Sequence, residues 1–340
     1  MPVTDQLRFP VVQEVVDAEI IDLIVNRLRG ERAVQVVGHL RPDGDCIGSL
    51  LAMHHLLDQW ARPHALAARQ IPQSGYDALP GFERIKQAPD PELDPSVIVY
   101  VDCASLERGI PQWTPPAPII NIDHHASNTL YGEINWVEPK ISSVGEMLYW
   151  LTARSGSDLT AESAEAMLIA MTTDTGSFRF SNTSAQQHYV AAHLIEAGAS
   201  PEGVARMAFG SQSPQSSRLI GHVLNTMELR CAGKLAWSEL RKDDYIRFGG
   251  DQYMPENLPD TLRSIRGVQL GLLFHEIPDG SLRLNLRSDG TVNVSVLAGE
   301  WGGGGHPCAA GLTLRPTQYE RDRDQILARA AQLTDGAADA

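Results

Sequence analysis

Cysteine is scarce, with four residues in 340: Cys46, Cys103, Cys231 and Cys308. They lie far apart, with no C-x-x-C pair and no zinc-finger spacing, which excludes a disulfide framework and a structural zinc module. Long apolar runs are missing too. No stretch approaches the ~18 residues a membrane helix needs. Residues 1–18 carry Asp5, Arg8, Glu14 and Asp17 where a signal peptide would have its apolar core. The expectation is a reducing, cytoplasmic setting with no membrane partner. Basic residues are outnumbered, 28 against 42 acidic ones, for a net charge of −14. Proteins that track long nucleic acid draw most of their affinity from neutralised phosphates, so a long duplex is a poor partner for this chain. A polyanionic ligand should be short, or metal ions must offset the local charge. No G-x-x-x-x-G-K-[ST] run is present, which excludes that type of NTPase loop.

Enough apolar material is present to build ordinary cores. Hydrophobic residues make up 43% and charged residues 21%, which excludes disorder throughout. The length suggests two domains at ~150 residues each. Apolar positions over 14–29 recur at helical spacing. Val34–Val37 reads as a strand, 48–60 as a helix, and His64 to Ala68 as a second strand. Val97–Val101 and 118–122 are continuous β-branched runs, which suit a parallel sheet covered on both faces. Helices are expected over about 142–154, 160–171, 184–197 and 201–209. Gly210 to Ser217 reads as a boundary. Beyond it, Leu235–Leu240, 268–276 and 281–287 read as strands, with a hairpin turn at Pro278-Asp279-Gly280. A strand over 309–314, a charged helix from about Thr317 and a frayed tail from Thr334 close the chain. The fold class is therefore α/β: a parallel-sheet domain over 1–209, a helical linker over 210–226 and a smaller mixed α/β domain over 227–335.

Chemistry concentrates at the ends of the expected strands. His39, Asp43 and Asp45 follow the first strand; Asp102 ends the Val97–Val101 run. Asp123, His124 and His125 end the run over 118–122, and Asp174 sits where an apolar helix gives way to Thr175-Gly176. Open α/β sheets bind ligands along the carboxyl edge of their strands, so these residues can converge. Four converging carboxylates cannot all stay ionised without cations among them. Two divalent ions would offset them. Oxygen and imidazole donors without thiolate favour Mn2+, with Mg2+ or Co2+ as alternatives, over structural zinc. A carboxylate shared between two ions would set them ~3.5–4 Å apart, the spacing of two-metal phosphoryl-transfer sites. The other histidines, His54, His55, His64, His188, His193, His222 and His275, read as structural.

A second cluster lies late in the chain. Gly303, Gly304 and Gly305 belong to a run of four glycines that ends at His306. Consecutive glycines can form an anion-binding nest, and His306 can add a charged hydrogen bond. Arg287 and Ser288, at the end of an expected strand, can reach the same phosphate. Arg179 reads either as facing a cleft or as exposed on a packed strand between Phe178 and Phe180.

Taken together, Asp123-His124-His125, His39-x-x-x-Asp43-x-Asp45, Asp102 and Asp174 resemble the DHH phosphoesterase superfamily. The glycine run, His306 and Ala309-Ala310-Gly311 resemble its DHH-associated domain 1. The two-domain layout is most similar to the oligoribonuclease and pAp phosphatase (nanoRNase) type. The resemblance implies that His39, Asp43 and Asp102 hold one ion, and that Asp45, Asp102, His124 and Asp174 hold the other. It further implies that Asp123 orients a ligand histidine and that His125 contacts the scissile phosphate. The implied activity is metal-dependent hydrolysis of short RNA or of the mononucleotide pAp, in a cleft between the domains. A soluble dinucleotide phosphodiesterase, a RecJ-like exonuclease and a non-catalytic nucleotide-binding regulator are the alternatives. A homodimer is compatible with the sequence.

Overall fold

The computed structural model describes residues 17–71, 75–210, 213–249 and 258–336. The chain divides into two compact units, Met1–Ser211 and Gln212–Ala340. No helix among the described residues is long and apolar enough to cross a membrane.

The first unit runs α1 (Ala18–Gly30), β1 (Val34–Val37), α2 (Gly44–Gln59), β2 (His64–Ala67), β3 (Ile85–Lys86), β4 (Val97–Val101), β5 (Ile119–Asp123) and β6 (Ile134–Val137). Four helices follow: α3 (Val144–Ser155), α4 (Ala161–Asp174), α5 (Ala185–Glu196) and α6 (Pro201–Phe209). The strands form one parallel sheet in the order β3-β2-β1-β4-β5-β6. The order reverses between β1 and β4, and such a switch point opens a crevice at the carboxyl ends of the two strands. Strand alternation divides the apolar runs between two faces. Val34, Val36, Val97, Val99 and Val101 join the core under the helices. Val37, Ile98 and Tyr100 pack the other way, against Cys103, Ile110, Trp113 and Tyr131. Both faces are thus covered, one by helices and the other by irregular chain after β4. β3 and β6 are short edge strands that the apolar pattern does not announce.

Capping explains where the helices begin. Asp17, Asp43, Ser143, Thr160, Ser184 and Ser200 each accept a first-turn N–H at the start of α1 to α6. α2 starts at Gly44, four residues before the apolar periodicity becomes visible, because Asp43 caps it. Asp45 therefore lies inside a helix rather than in the preceding loop.

The second unit contains α7 (Pro214–Thr226), β7 (Glu228–Arg230), β8 (Leu235–Leu240), α8 (Lys242–Phe248), α9 (Leu258–Arg263), β9 (Leu270–Glu276), β10 (Leu282–Ser288), α10 (Val294–Gly299), β11 (Gly304–His306), β12 (Ala309–Leu314) and α11 (Pro316–Gly336). Its sheet has the order β11-β12-β10-β9-β8-β7. The β8–β9 pair is parallel and the other pairs are antiparallel. α7 occupies the segment expected to link the domains. Its Leu219 and Val223 are buried with Ala236, Leu240 and Leu273 of this unit. At the far end, α11 continues to Gly336 instead of fraying from Thr334. Thr334 is buried, and its hydroxyl donates to Ala330 O at 2.8 Å. Residues 337–340 of the expected tail lie outside the described residues.

Candidate metal centre

The site is built at the switch point. β1 runs through Gly38 into His39, and α2 returns close against it. A Cβ on Gly38 would lie 2.4 Å from the Cys46 sulfur, so only glycine allows this approach. The Cys46 sulfur accepts the His39 backbone N–H at 3.3 Å. His39 is buried, with Nε2 3.3 Å from Asp102 Oδ2 and 3.7 Å from Asp43 Oδ1. Asp43 is the N-cap of α2 and accepts the Cys46 N–H at 3.1 Å.

Asp102 follows β4 with a left-handed backbone, φ 57°, a conformation Asp tolerates better than most residues. Its two oxygens face different partners. Oδ2 is turned to His39, whereas Oδ1 lies 3.8 Å from His124 Nε2 and 3.5 Å from His125 Nδ1. Oδ1 is buried and has no hydrogen-bond partner. His124 Nε2 also lies 3.1 Å from Asp174 Oδ2 and 3.8 Å from Asp45 Oδ2. Asp174 is the last residue of α4 and is partly exposed. The structure thus gathers His39, Asp43, Asp45, Asp102, His124, His125 and Asp174 at one place.

Asp45 has support that the sequence does not reveal. It is fully buried, and the first two N–H groups of α3 bind its carboxylate. Val144 N donates to Oδ2 at 2.8 Å, Gly145 N to Oδ1 at 2.9 Å, and Ser49 Oγ to Oδ1 at 3.2 Å. The N-terminus of a helix suits a carboxylate because its N–H groups are unpaired and its dipole is positive there.

The electrostatics call for positive charge. Burial, then the Asp102 and Asp174 charges, push the Asp45 carboxyl well above its usual range. Burial and Asp43 likewise raise Asp102, although His39 opposes the shift. Burial works against a charged His124, but Asp174, Asp45 and Asp102 more than offset it and raise the imidazole well above its usual value. His39 is raised similarly, against its burial, by Cys46, Asp102 and Asp43. Asp43 goes the other way: desolvation would raise it, but the nearby His39 holds it low. Carboxylates crowded in this way favour cations among them. The residues fit divalent ions, since Asp102 offers an unsatisfied buried oxygen and carboxylate and imidazole donors predominate, with the Cys46 sulfur beside His39 and Asp102.

Asp123 is turned toward His125. Its Oδ1 lies 2.8 Å from His125 Nδ1, and its Oδ2 accepts Asn128 Nδ2 at 2.6 Å. Residues i and i+2 share a side in extended chain, which brings Asp123 to His125. These bonds hold the Asp123 carboxyl low in spite of its burial. Asn128 had no signal in the sequence. It also spans Cys103 O and Asn121 Nδ2, which fixes the loop after β5.

Residues 33–171 match the model of the DHH family, N-terminal domain, and residues 244–334 match the DHHA1 domain. The bifunctional oligoribonuclease and PAP phosphatase NrnA of Thermus thermophilus is 30% identical over 301 residues, covering 87% of this chain and 89% of that protein. The chain belongs to the DHH family. The Bacillus subtilis protein of the same name is 29% identical over 295 residues, 85% of this chain and 91% of its own. Among solved structures, an exopolyphosphatase-related protein from Bacteroides fragilis aligns with a TM-score of 0.86 and 26% identity, covering 94% of this chain and 99% of that one.

The DHHA1 segment departs from the expected nest. Gly302 N–H is bonded to Gly299 O at 3.1 Å and Gly303 N–H to Ala298 O at 2.8 Å, closing the end of α10. Gly304–His306 is then an edge strand paired with Ala309, Ala310 and Gly311. A Cβ on Gly303 would sit 2.4 Å from Gly311 O, and one on Gly305 2.5 Å from Ala309 O, so close packing of the hairpin already requires both glycines. Only Gly304 of these three faces open space. Arg287 Nε donates to Asp260 Oδ2 at 3.3 Å, and Nη1 donates to Leu286 O at 3.1 Å. Ser288 is buried, and its Oγ accepts Gly290 N–H and Val292 N–H. In the DHH unit, residues 176–180 form turns and not a strand, because Gly176, Ser177 and Phe178 all have φ between 55° and 61°. Arg179 is exposed there and donates to Gly176 O.

Proposed function

We propose that this DHH-family chain is a metal-dependent phosphoesterase that hydrolyses short oligoribonucleotides and 3′-phosphoadenosine 5′-phosphate. The observation that carries the reading is Asp102. One of its oxygens faces His39 and the other faces His124, with the second oxygen buried and unsatisfied. That is the arrangement of a carboxylate shared between two cations. His39, Asp43 and Asp102 would hold one ion, and Asp45, Asp102, His124 and Asp174 the other. Mn2+ suits the hard, mixed oxygen and nitrogen donors best, with Mg2+ or Co2+ as alternatives. When bound, such ions polarise a phosphoryl oxygen and make a nearby water more acidic. Around them, His125 is held by Asp123 and donates toward the reacting phosphate, while buried Asp45 and Asp102 keep their positions without solvent.

We assign residues 1–209 to the DHH domain and 227–335 to the DHHA1 domain, with 210–226 connecting them. Within the second, Gly304, Gly305 and His306 on the open edge of β11 supply a contact for a phosphate that does not react. Gly303 packs against Gly311 beside that edge, and Arg287 and Ser288 stand at the end of β10 with the bonds described above. The relatives named for oligoribonuclease and PAP phosphatase activity favour these substrates over a long nucleic acid, and so does the net charge of −14.

The test is hydrolysis by metal-stripped protein supplied with Mn2+, across pAp, dinucleotides and RNA of increasing length. Turnover should be confined to pAp and the short oligomers and should need added metal. Undiminished turnover after complete chelation would overturn the metal reading. Preference for long RNA or for a cyclic dinucleotide would overturn the substrate assignment.

A further inference from the structure

Glu146 is the one fully buried glutamate among the described residues, and it lies outside the proposed ligand set. It stands at the third position of α3, where a capping-box glutamate would reach back to the N-cap backbone. Here it does something else. Its Oε2 accepts Ser142 N at 3.0 Å, Ser142 Oγ at 2.8 Å and Gln187 Nε2 at 2.7 Å; its Oε1 accepts Gln186 Nε2 at 2.7 Å. These donors are neutral, and together they satisfy both oxygens of the carboxylate. The network ties the approach to α3 to the start of α5, where Gln187 Oε1 also accepts Ser184 N–H at 2.6 Å.

Two links run from this network to the metal centre. The turn it fixes presents Val144 N–H and Gly145 N–H, each to a different oxygen of Asp45, which sets the plane of that carboxylate. Asn182 Nδ2 then bridges Ser142 O at 3.2 Å and Asp174 O at 3.1 Å. We propose that Glu146 is a positioning residue: through Ser142 it holds Asp45 and, by way of Asn182, the backbone of Asp174 in one fixed relation. This rests on the two-ion reading above, because its consequence is the affinity for the ion between Asp45, His124 and Asp174. A satisfied buried network is rigid, and loss of one acceptor leaves buried donors opposed. Partners that orient metal ligands typically change affinity by about 10–100-fold when removed.

The experiment measures Mn2+ binding to the metal-free, full-length protein by electron paramagnetic resonance of the free ion. Thermal unfolding without metal and pAp hydrolysis at rising Mn2+ accompany it. Glu146→Gln should weaken one of two Mn2+ equivalents by about 10–100-fold. Turnover should recover at high Mn2+, with KM for pAp unchanged once metal saturates. The double variant Glu146→Gln, Gln186→Glu exchanges the acceptor and donor across the 2.7 Å contact and should restore affinity. Asn182→Ala, at an exposed position on which the core does not depend, should weaken the same equivalent and cover the case in which Glu146→Gln does not fold. Wild-type Mn2+ affinity in Asn182→Ala and in folded Glu146→Gln would overturn the inference and leave the two-ion reading standing. Restored thermal stability without restored affinity in the double variant would also overturn it. Absence of Mn2+ binding by the wild type would instead remove the two-ion reading, and this inference with it.

Discussion

Replacing Asp102 by Asn separates the catalytic and structural roles of the proposed bridge. The side chains are nearly isosteric, and Asn tolerates the left-handed φ of 57° at this position, so the end of β4 should keep its course. What changes is charge and donor chemistry. The amide has one acceptor oxygen, so it cannot serve both the His39 side, 3.3 Å from Oδ2, and the His124 side, 3.8 Å from Oδ1. It also places N–H donors where a cation is expected. Partners that merely orient metal ligands change affinity or activity by about 10–100-fold, so a shared ligand should exceed that range. The expected loss in kcat/KM is therefore at least about 100-fold, or about 2.7 kcal/mol of transition-state stabilisation. The effect on the metal-free fold should have the opposite sign. Burial and Asp43 raise the Asp102 carboxyl above its unfolded value. An acid raised in this way is less readily ionised folded than unfolded, so at neutral pH its ionisation works against folding. Metal-free Asp102→Asn should unfold at the same temperature as wild type or higher, whereas stabilisation by Mn2+ should shrink. Calorimetry with and without Mn2+, beside kinetics on pAp, checks both halves. Wild-type kcat/KM, or a large fall in metal-free stability with Mn2+ stabilisation intact, would refute the argument.

Three further outcomes are expected. Gly304→Ala should leave thermal stability unchanged while raising KM for pAp, because nothing lies within 4 Å of the new methyl; Gly305→Ala should lower stability, because its Cβ meets Ala309 O at 2.5 Å and φ is +143°. His54, buried and bonded through Nδ1 to His64 Nε2 at 2.7 Å, is depressed by burial to about 4. Between that value and the unfolded one of 6.5 the unfolded chain binds the extra proton, so stability should fall on acidification through this window. His54→Gln should show a shallower fall in denaturation followed against pH. Finally, Mn2+ at ~100 times its dissociation constant should stabilise the stripped wild type by about 2.7 kcal/mol, and an unchanged denaturation midpoint would count against metal binding by the native fold.

Some of the molecule is legible in the chain because it depends on local chemistry. β-branched runs such as Val97–Val101 announce buried strands, and Asp and His at their ends announce a polar carboxyl edge. Glycines and polar residues before the helices announce caps. Short edge strands are harder: β3 has two residues and β6 alternates weakly, so neither has enough period to read. The start of α2 was hidden for another reason, since Gly44 and Asp45 carry no apolar signal and only the Asp43 cap defines it.

Which donor atoms are available, and the hardness of the ions they suit, follow from the amino-acid chain, because those properties belong to the side chains. So does the alternation that sends neighbouring residues of a strand to opposite faces. Tertiary structure alone decided which donors are already committed. Asp45 is held by α3 residues 99 and 100 positions away, Arg287 is bonded to Asp260, and two of the four glycine N–H groups close a helix. Asp123 pairs with His125 and Asn128, and Asp102 turns its oxygens to different histidines. Each is a hydrogen bond or close approach between groups that meet only when sheet order and helix packing bring distant segments together, and no local pattern encodes such a meeting.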